Sequence, residues 1–197
     1  MKKTIATLLV LLAAYGATLA HAETEPTSTT VVLAGGSARN TIRIWLTPDG
    51  YSYVIDSAAP LEVGGTICKN PPEKPNELIC EAPPIAGFIV NGSSHDDVVV
   101  VSRAITIPTT LHGAAGKDVL LGGSGSDKIA GGPGDDQLRG RGGNDAIFGG
   151  PGSDVLKGGS GDDALHGGPG PDVLSGGPGT NTVQQKRFER WGQPTLS

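Results

Sequence analysis

Short alternations of apolar and polar residues in the first half of the chain predict β-strands. In residues 41–46, Ile42, Ile44 and Leu46 share one side of the backbone, which is the period of a half-buried strand. The next four residues read TPDG, a turn in which proline fixes φ and glycine supplies a positive φ. Alternation resumes in residues 51–55. The pattern therefore predicts a β-hairpin.

Three short runs further along the chain are also typical of strands. Residues 88–90, 98–101 and 105–107 are rich in β-branched side chains and show no helical period. Together with the hairpin they predict a small β-rich region over residues 31–111. Pro108 and the two threonines after it then form a joint to the segment that follows.

A period of nine residues runs through residues 113–184 and defines eight units that begin with Gly113. Positions 1 and 4 are Gly in all eight units, position 8 is aliphatic, and positions 3, 5, 7 and 9 vary freely. The position-8 residues are Leu120, Ile129, Leu138, Ile147, Leu156, Leu165, Leu174 and Val183. The position-6 residues are Asp118, Asp127, Asp136, Asp145, Asp154, Asp163, Asp172 and Asn181. Positions locked in phase over eight units indicate a repeat fold.

Each unit divides into a turn and a minimal strand. Positions 1–6 need glycines where φ is positive or where backbones approach closely, and positions 7–9 carry one inward aliphatic side chain. One buried Leu or Ile contributes about 1.5–3 kcal/mol, whereas ordering each of nine residues costs about 1–2 kcal/mol. Stacking the units also brings the position-6 carboxylates into register. A multivalent cation between the turns would reverse that repulsion, and such oxygen donors suit Ca²⁺ better than Mg²⁺.

The array resembles the RTX, or haemolysin-type, calcium-binding repeat, whose pattern is Gly-Gly-x-Gly-x-Asp-x-U-x with U a large aliphatic residue. The units that begin at Gly131 and Gly158 match every fixed position. The resemblance implies an all-β fold in which residues 113–184 form a right-handed parallel β-roll, an RTX nonapeptide solenoid. It also implies that two nonapeptides make one coil and that Ca²⁺ lies between the turns of units i and i+2.

The same resemblance implies which residues hold the ions. The ligands would be turn carbonyls and the position-6 side chains, arranged in two columns. One column holds Asp118, Asp136, Asp154 and Asp172, and the other holds Asp127, Asp145, Asp163 and Asn181. Each column of four has three gaps, so up to six Ca²⁺ sites (3 + 3) are expected.

Departures from the pattern lie mostly at the ends of the array. Ala114 at position 2 and Lys117 beside Asp118 should weaken the first site. Asn181 is a neutral ligand, so the last unit resembles a cap. In the fourth unit position 2 is Arg141, but the glycines that follow can hold the turn.

A decayed unit lies upstream of the array. Residues 92–99 read GSSHDDVV and begin 21 residues before Gly113, which is out of phase by three. Asp97 is therefore either a further ligand or part of a solvated turn.

Composition narrows the classes of function. The chain has 197 residues and 32 glycines, of which 23 lie in the array, and its aromatic content is 4%. Glycine does not recur every third residue, which excludes collagen. The net charge of −5 argues against nucleic acid as a partner, because phosphate binding needs a basic face.

The two ends of the chain predict export and capping. Residues 1–22 carry two lysines, an apolar run and an Ala-His-Ala site, which is the pattern of a secretory signal peptide and too short for a transmembrane segment. Residues 23–30 read as a flexible lead-in. The basic tail over residues 185–197 is expected to cap the open end of the roll. The predicted localisation is secreted or extracellular, with the periplasm or the cell surface as alternatives.

The two cysteines fit an exported protein. Cys68 and Cys80 have eleven residues between them in a proline-rich loop. Outside the cytoplasm, two cysteines most simply form one disulfide. We therefore expect the β-rich region before the array to contain a disulfide.

No catalytic motif accompanies the array. The chain lacks a His-Glu-x-x-His zinc motif, a Gly-x-Ser-x-Gly elbow and a P-loop, and an enzyme is not expected. The favoured function is a secreted calcium-binding protein that folds when its turns bind Ca²⁺ outside the cytoplasm. The alternatives are an adhesion or matrix protein that uses the roll as a scaffold, and an enzyme with an unrecognised site in residues 31–111. The protein or surface partner stays open.

Overall fold

The computed structural model describes residues 29–34, 39–47, 52–57, 68–69, 71–74, 76–81 and 85–185. Within these ranges the chain forms strands and turns, and it contains no helix long and apolar enough to cross a membrane. The all-β class is confirmed. The predicted signal peptide and all but the first residue of the predicted tail lie outside the described residues.

Sixteen strands are present in the described part of the chain. The first eight are β1 (Thr29–Ala34), β2 (Thr41–Leu46), β3 (Ser52–Ser57), β4 (Cys68–Lys69), β5 (Glu77–Glu81), β6 (Ile85–Asn91), β7 (Val98–Val101) and β8 (Thr109–His112). The others are β9 (Val119–Leu121), β10 (Lys128–Ala130), β11 (Gln137–Gly142), β12 (Ala146–Phe148), β13 (Val155–Ser160), β14 (Ala164–His166), β15 (Val173–Ser175) and β16 (Thr182–Gln184). From β9 onward, every strand begins at position 7 of a unit.

The strands form two sheets that face each other. The first has seven strands in the order β1-β6-β8-β10-β12-β14-β16, and the second has nine in the order β15-β13-β11-β9-β7-β2-β3-β5-β4. From β6 onward the chain alternates between the sheets, and neighbouring strands are parallel. Ile129 pairs with Ile147 and Leu138 with Leu156, 18 residues apart in each case. Two nonapeptides therefore make one coil, and the predicted parallel β-roll is confirmed.

The interior of the roll is a row of position-8 side chains, one from each strand. Within the array, six of these side chains are at most 1% exposed: Leu120, Ile129, Leu138, Ile147, Leu156 and Leu165. Leu174 is only partly buried and packs against the core, and Val183 is 46% exposed. Burial therefore declines in the last described coil.

The upstream strands belong to the same two sheets as the array. Strand β7 pairs parallel with β9, and β8 pairs parallel with β10. Further upstream, β2 pairs parallel with β7 and β1 with β6. Within the described residues, the first strand of the roll starts at Thr29, inside the expected lead-in, and the parallel pairing of strands extends from there into the array.

The predicted hairpin extends one sheet of the roll. Strands β2 and β3 pair antiparallel, with Ile44 opposite Ile55, as the alternation indicates. Strands β5 and β4 then add to β3, also antiparallel. The register of β4 and β5 places Cys68 opposite Cys80.

One predicted strand is wrong. Residues 105–107 lie in the loop after a turn at residues 103–104, and the strand follows Pro108 as β8, where a joint was expected. The Ile105 N–H donates to the Ser102 carbonyl at 3.0 Å, and the Ile105 carbonyl accepts from Ser124 N–H at 2.8 Å. The N–H and the carbonyl of Ile105 therefore form hydrogen bonds within and between loops, and not with a neighbouring strand. The other two expected strands, over residues 88–90 and 98–101, are present as parts of β6 and β7.

Candidate metal centre

Two glycine positions in each regular turn adopt a positive φ. In the unit that begins at Gly131, position 2 is Gly132 with φ 112° and position 4 is Gly134 with φ 150°. Ala114 and Arg141 hold position 2 of their own units with φ 80° and 85°. A side chain in this region of φ is strained, so both units keep the regular turn at a cost.

Position 1 is glycine for a different reason. A Cβ built on Gly131 would overlap the Oδ2 atom of Asp136, and one built on Gly149 would overlap Oδ2 of Asp154. The position-6 carboxyl group occupies the space that a side chain at position 1 would need. Glycine at position 1 therefore allows the carboxyl group to fold back over its own turn.

The Oδ1 atom of each position-6 carboxyl group accepts a hydrogen bond from the backbone of the preceding coil. The Asp118 N–H donates to Asp136 Oδ1 at 2.8 Å, and the Asp136 N–H donates to Asp154 Oδ1 at 2.9 Å. The same ladder continues through the remaining units of both columns up to Asp172 and Asn181. The two predicted columns are therefore brought together, residue by residue, with one carboxyl or amide group in each turn.

The second oxygen of six of these carboxyl groups has no hydrogen-bond partner although it is buried. The six residues are Asp118, Asp136, Asp145, Asp154, Asp163 and Asp172. A buried oxygen without a donor is costly, and more so when it is charged. Six such oxygens repeated in a regular array are groups that a bound cation would stabilise.

The last unit shows what surrounds this oxygen. Asn181 places its amide nitrogen on the same side, where Nδ2 donates to the carbonyls of Gly177 at 2.8 Å and Gly179 at 3.4 Å. An aspartate in this backbone setting presents an oxygen instead of a donor to the carbonyls of positions 2 and 4. Such a group of oxygens without a proton is a suitable set of ligands for a hard cation.

The protonation of these carboxyl groups reflects their burial. Burial, followed by repulsion from neighbouring acids, raises the pKa of Asp136 to about 7, that of Asp145 to about 7 and that of Asp154 to about 6, against backbone hydrogen bonds that lower it. Burial also raises the pKa values of Asp118 and Asp163. The charged form is therefore disfavoured unless a positive charge accompanies it.

Backbone oxygens must supply the rest of any site. Within the ranges that the structure describes, no group of three or more His, Cys, Asp or Glu side chains converges on one point. Ca²⁺ takes six to eight oxygen ligands and accepts backbone carbonyls among them. A site built from one or two carboxylates and several turn carbonyls meets that requirement.

Asp97 belongs to the same column although its coil has 21 residues. It is fully buried, and its N–H donates to Asp118 Oδ1 at 2.7 Å, so it is not in a solvated turn. Both of its oxygens are used within the protein, Oδ1 by Asn40 and Oδ2 by Ser93. It lacks the orphaned oxygen of the six residues described above.

Asp127 fits the repeat but differs from the other position-6 aspartates. Its Oδ1 accepts from the N–H and hydroxyl of Thr109 at 2.8 and 2.7 Å, and its Oδ2 accepts from Gly123 N–H at 2.8 Å. Burial raises its pKa, while the hydrogen bonds from Thr109 and Gly123 and the charge of Arg141 act to lower it. Its carboxyl group is satisfied without a cation.

Asn40 and Thr109 head the two columns, and sequence analysis missed both. Asn40 N–H donates to Asp97, as Thr109 N–H does to Asp127. Each stands two residues before a buried aliphatic side chain, Ile42 or Leu111, which is the spacing between positions 6 and 8. That spacing is the signal that could have found them.

Position 5, which varies freely in the sequence, carries a second ladder on the surface. Asp135 Oδ1 accepts from Ser153 N–H at 3.1 Å, and Asp162 Oδ1 accepts from Thr180 N–H at 2.7 Å. The donor here lies one coil later, whereas the position-6 donors lie one coil earlier. Where both ladders are present, they join neighbouring coils from opposite directions.

Relief of strain at Ala114 gives a first testable prediction. Ala114→Gly should stabilise the chain by about 0.5–1 kcal/mol in saturating Ca²⁺, because glycine adopts φ 80° without a steric cost. Urea unfolding followed by circular dichroism measures the change. Ala115→Gly is the matched control, since Ala115 is not among the residues of positive φ and glycine there should destabilise. Equal effects at both positions would contradict this explanation.

Comparison with known proteins bears on the array alone. A family model described as the RTX calcium-binding nonapeptide repeat, in four copies, matches residues 112–147, 121–156 and 148–183. No curated protein and no solved structure matches the chain. The matched span contains all six aspartates with an orphaned Oδ2.

Proposed function

Because residues 112–183 are RTX calcium-binding nonapeptide repeats, we propose that this chain is a secreted calcium-binding protein whose array folds on binding several Ca²⁺ ions outside the cytoplasm. Calcium binding follows from the repeats themselves. Proteins with such repeats are usually extracellular, and repeats of this family are typically non-catalytic, which supports a binding function. For this chain, the proposal adds which residues bind Ca²⁺, how many ions are bound, and that folding takes place outside the cytoplasm.

The observation that carries the proposal is the set of six buried, orphaned Oδ2 atoms. They belong to Asp118, Asp136, Asp145, Asp154, Asp163 and Asp172. One ion for each of these oxygens gives about six Ca²⁺ per chain. Asp127 and Asn181, which the resemblance also implicates, have hydrogen bonds at the corresponding atoms, and the geometry favours the other six.

The chemistry of the site is charge compensation. When bound, Ca²⁺ would supply the positive charge that lets buried carboxyl groups ionise next to turn carbonyls. The chain's own part is to hold Oδ1 on the ladder, so that Oδ2 stays fixed over the position-1 glycine. High Ca²⁺ outside the cell would then favour the folded array by mass action.

Export would also suit the two cysteines. Cys68 and Cys80 are opposite each other across β4 and β5, which is the placement that a disulfide between them requires. We propose that they form this disulfide after secretion, as the pattern of two cysteines in an exported chain suggests.

Metal stoichiometry of the full chain tests the proposal. We expect isothermal titration and elemental analysis to give about six Ca²⁺ per chain, consistent with one per orphaned oxygen. Asp154→Asn should lose about one ion, because an amide nitrogen replaces the free oxygen. Asp127→Asn is the matched control and should lose none, since Asp127 Oδ2 already accepts from Gly123. Absence of bound Ca²⁺, or equal losses in the two variants, would overturn the proposal.

A further inference from the structure

We infer that the roll carries a calcium-independent end, formed by the turns over residues 92–97 and 122–127 together with Arg141, on which the calcium-binding coils assemble. The inference rests on the proposed function, because it concerns the order in which the same turns fold. The two turns are called closed turns below, since their aspartates are satisfied by the protein itself.

The first closed turn uses all of its carboxyl oxygens. Asp97 Oδ1 accepts from the N–H of Asn40 at 2.6 Å and from its side-chain amide at 3.0 Å. Asp97 Oδ2 accepts from Ser93 N–H at 2.7 Å and from its hydroxyl at 3.4 Å. Four donors on one buried carboxylate supply the stabilisation that a cation provides elsewhere.

The second closed turn is built in the same way. Three donors from Thr109 and Gly123 reach the two oxygens of Asp127. Two more hydrogen bonds join this turn to the loop over residues 102–107. The Ser124 N–H donates to the Ile105 carbonyl, and the Ser124 hydroxyl donates to the Arg103 carbonyl. That loop is the turn of the preceding coil, and it accepts both of these hydrogen bonds from Ser124.

The backbone N–H at position 2 distinguishes closed turns from regular ones. In the regular turns, Gly132 N–H donates to the Gly149 carbonyl and Gly150 N–H to the Gly167 carbonyl, one coil later. In the closed turns, Ser93 and Gly123 donate instead to the carboxylate of their own turn. Neither Ser93 nor Gly123 is among the residues of positive φ, so the closed turns also differ in conformation.

Arg141 places a permanent positive charge at the same end. Its Nη1 donates to the carbonyls of Val101 and Gly122, the latter at 2.8 Å. Val101 ends β7, and Gly122 directly follows the neighbouring strand β9. The charge is attracted to Asp127 and repelled by Arg103 and Arg139, and the guanidinium is partly buried. The chain thus supplies its own cation to a cluster of carbonyl oxygens.

The closed turns contain the first aspartate of each column, directly after Asn40 and Thr109. Asp97 precedes Asp118, and Asp127 precedes Asp145, through the ladder bonds of 2.7 and 2.8 Å. The coils at this end also bury more apolar volume than one aliphatic side chain in each strand. The buried residues there include Phe88, Val90, Val99, Val101, Ile105 and Leu111. Apolar burial and satisfied turns together provide a folded template for the first calcium-binding coil.

Hydrogen exchange of the full chain, read by mass spectrometry, tests the order of folding. In excess EGTA at pH 7.5, we expect peptides from residues 88–112 to exchange at least about 100-fold more slowly than peptides from residues 155–184, because only the former contain closed turns or pack on them. Added Ca²⁺ should protect the second group. Equal exchange of both groups in EGTA would overturn the inference. A failure of Ca²⁺ to protect residues 155–184 would instead overturn the proposed function.

Two arginine variants separate the part played by Arg141. In EGTA, Arg141→Gln should speed exchange around β7 and β9 by about 10-fold or more, because two carbonyls lose a charged donor. Arg139→Gln is the matched control, since Arg139 is exposed on β11 and only repels Arg141. Its exchange should be unchanged or slower. Equal exchange in the two variants would overturn the assignment of Arg141 as the internal cation.

Discussion

Substitution of Gly134 by alanine is expected to prevent the calcium-dependent folding of the array. The residue has φ 150°, and a Cβ there would overlap the Gly116 carbonyl oxygen of the preceding coil. The overlap cannot be relieved by a small movement, because the ladders fix the backbone of both Gly134 and Gly116. We expect a loss of more than about 4 kcal/mol, which is the range of severe backbone and packing defects. Circular dichroism in saturating Ca²⁺ and thermal unfolding measure the effect.

Gly142→Ala is the matched control. Gly142 is not among the residues of positive φ, and a Cβ placed there would have as its nearest atom the Ser160 hydroxyl oxygen at 3.3 Å, which belongs to a flexible side chain. The melting temperature of this variant should stay within a few degrees of the original. If Gly134→Ala folds and binds Ca²⁺ as well as Gly142→Ala does, the close approach between coils is not what requires glycine at position 4.

Acid is expected to replace calcium in stabilising the array. The pKa values of Asp136 and Asp145 rise to about 7 on folding and that of Asp154 to about 6. A group whose pKa is higher in the folded state favours folding below its unfolded pKa, near 4, and this contribution is lost as pH rises through the folded value. In EGTA, the stability of the array should therefore fall between about pH 4 and pH 7. Urea unfolding followed by circular dichroism at several pH values measures it.

The dependence should reverse when Ca²⁺ is present, because the ion competes with protons for the same oxygens. Affinity for Ca²⁺ should then increase from pH 5 to about 7. The exposed Asp96 and Asp135, whose hydrogen bonds and nearby cations lower their pKa values, act in the opposite sense, but exposed pairs contribute little.

A triple variant provides the control for this pH dependence. Replacing Asp136, Asp145 and Asp154 by Asn gives side chains that are neutral at every pH and can donate to turn carbonyls, as Asn181 does. In EGTA at pH 7.5, this variant should be more stable than the original chain, and its stability should vary less with pH. If the original chain in EGTA is as stable at pH 7.5 as at pH 4.5, the buried carboxyl groups are not the source of the calcium requirement.

Much of the roll could be predicted from the sequence because its physics is local and repeated. Aliphatic side chains at every ninth position fix which residues face inward, and Leu138 pairs with Leu156 as the period demands. The two columns of position-6 residues follow from the same arithmetic. A strict period removes the freedom of register that makes most sheets hard to predict.

The remaining features depend on contacts between distant segments. The unit over residues 122–130 fits the repeat at every fixed position, yet its turn is closed, because Thr109 from the preceding coil and Gly123 satisfy both oxygens of Asp127. The upstream coils do not show the period of nine in the sequence, because antiparallel strands are inserted between β2 and β6 and because one coil has 21 residues instead of 18. Thr109 holds the place of a position-6 aspartate without resembling one, so a pattern of residue types could not find it.

The role of position 1 was also beyond the sequence. Glycine at position 1 of every unit is compatible with either a positive φ or a close approach of another group to the backbone. Both explanations predict glycine at this position, so the sequence does not distinguish them. Only the overlap between a Cβ at Gly131 and the Asp136 carboxyl group decides for the close approach. The glycine is therefore required by the position of the Asp136 carboxyl group and not by the conformation of the turn.

The ladder has a mechanical consequence. Asp136 ties its own coil to the preceding one through Oδ1 and the Asp118 N–H, while Oδ2 of the same carboxyl group is the atom that we propose binds the ion. A pull along the axis of the roll loads this tie at each coil in succession, and an ion held by the same group opposes its opening. Calcium would thus set the tensile strength of the array, which becomes a tether that stiffens in calcium and yields one coil at a time without it.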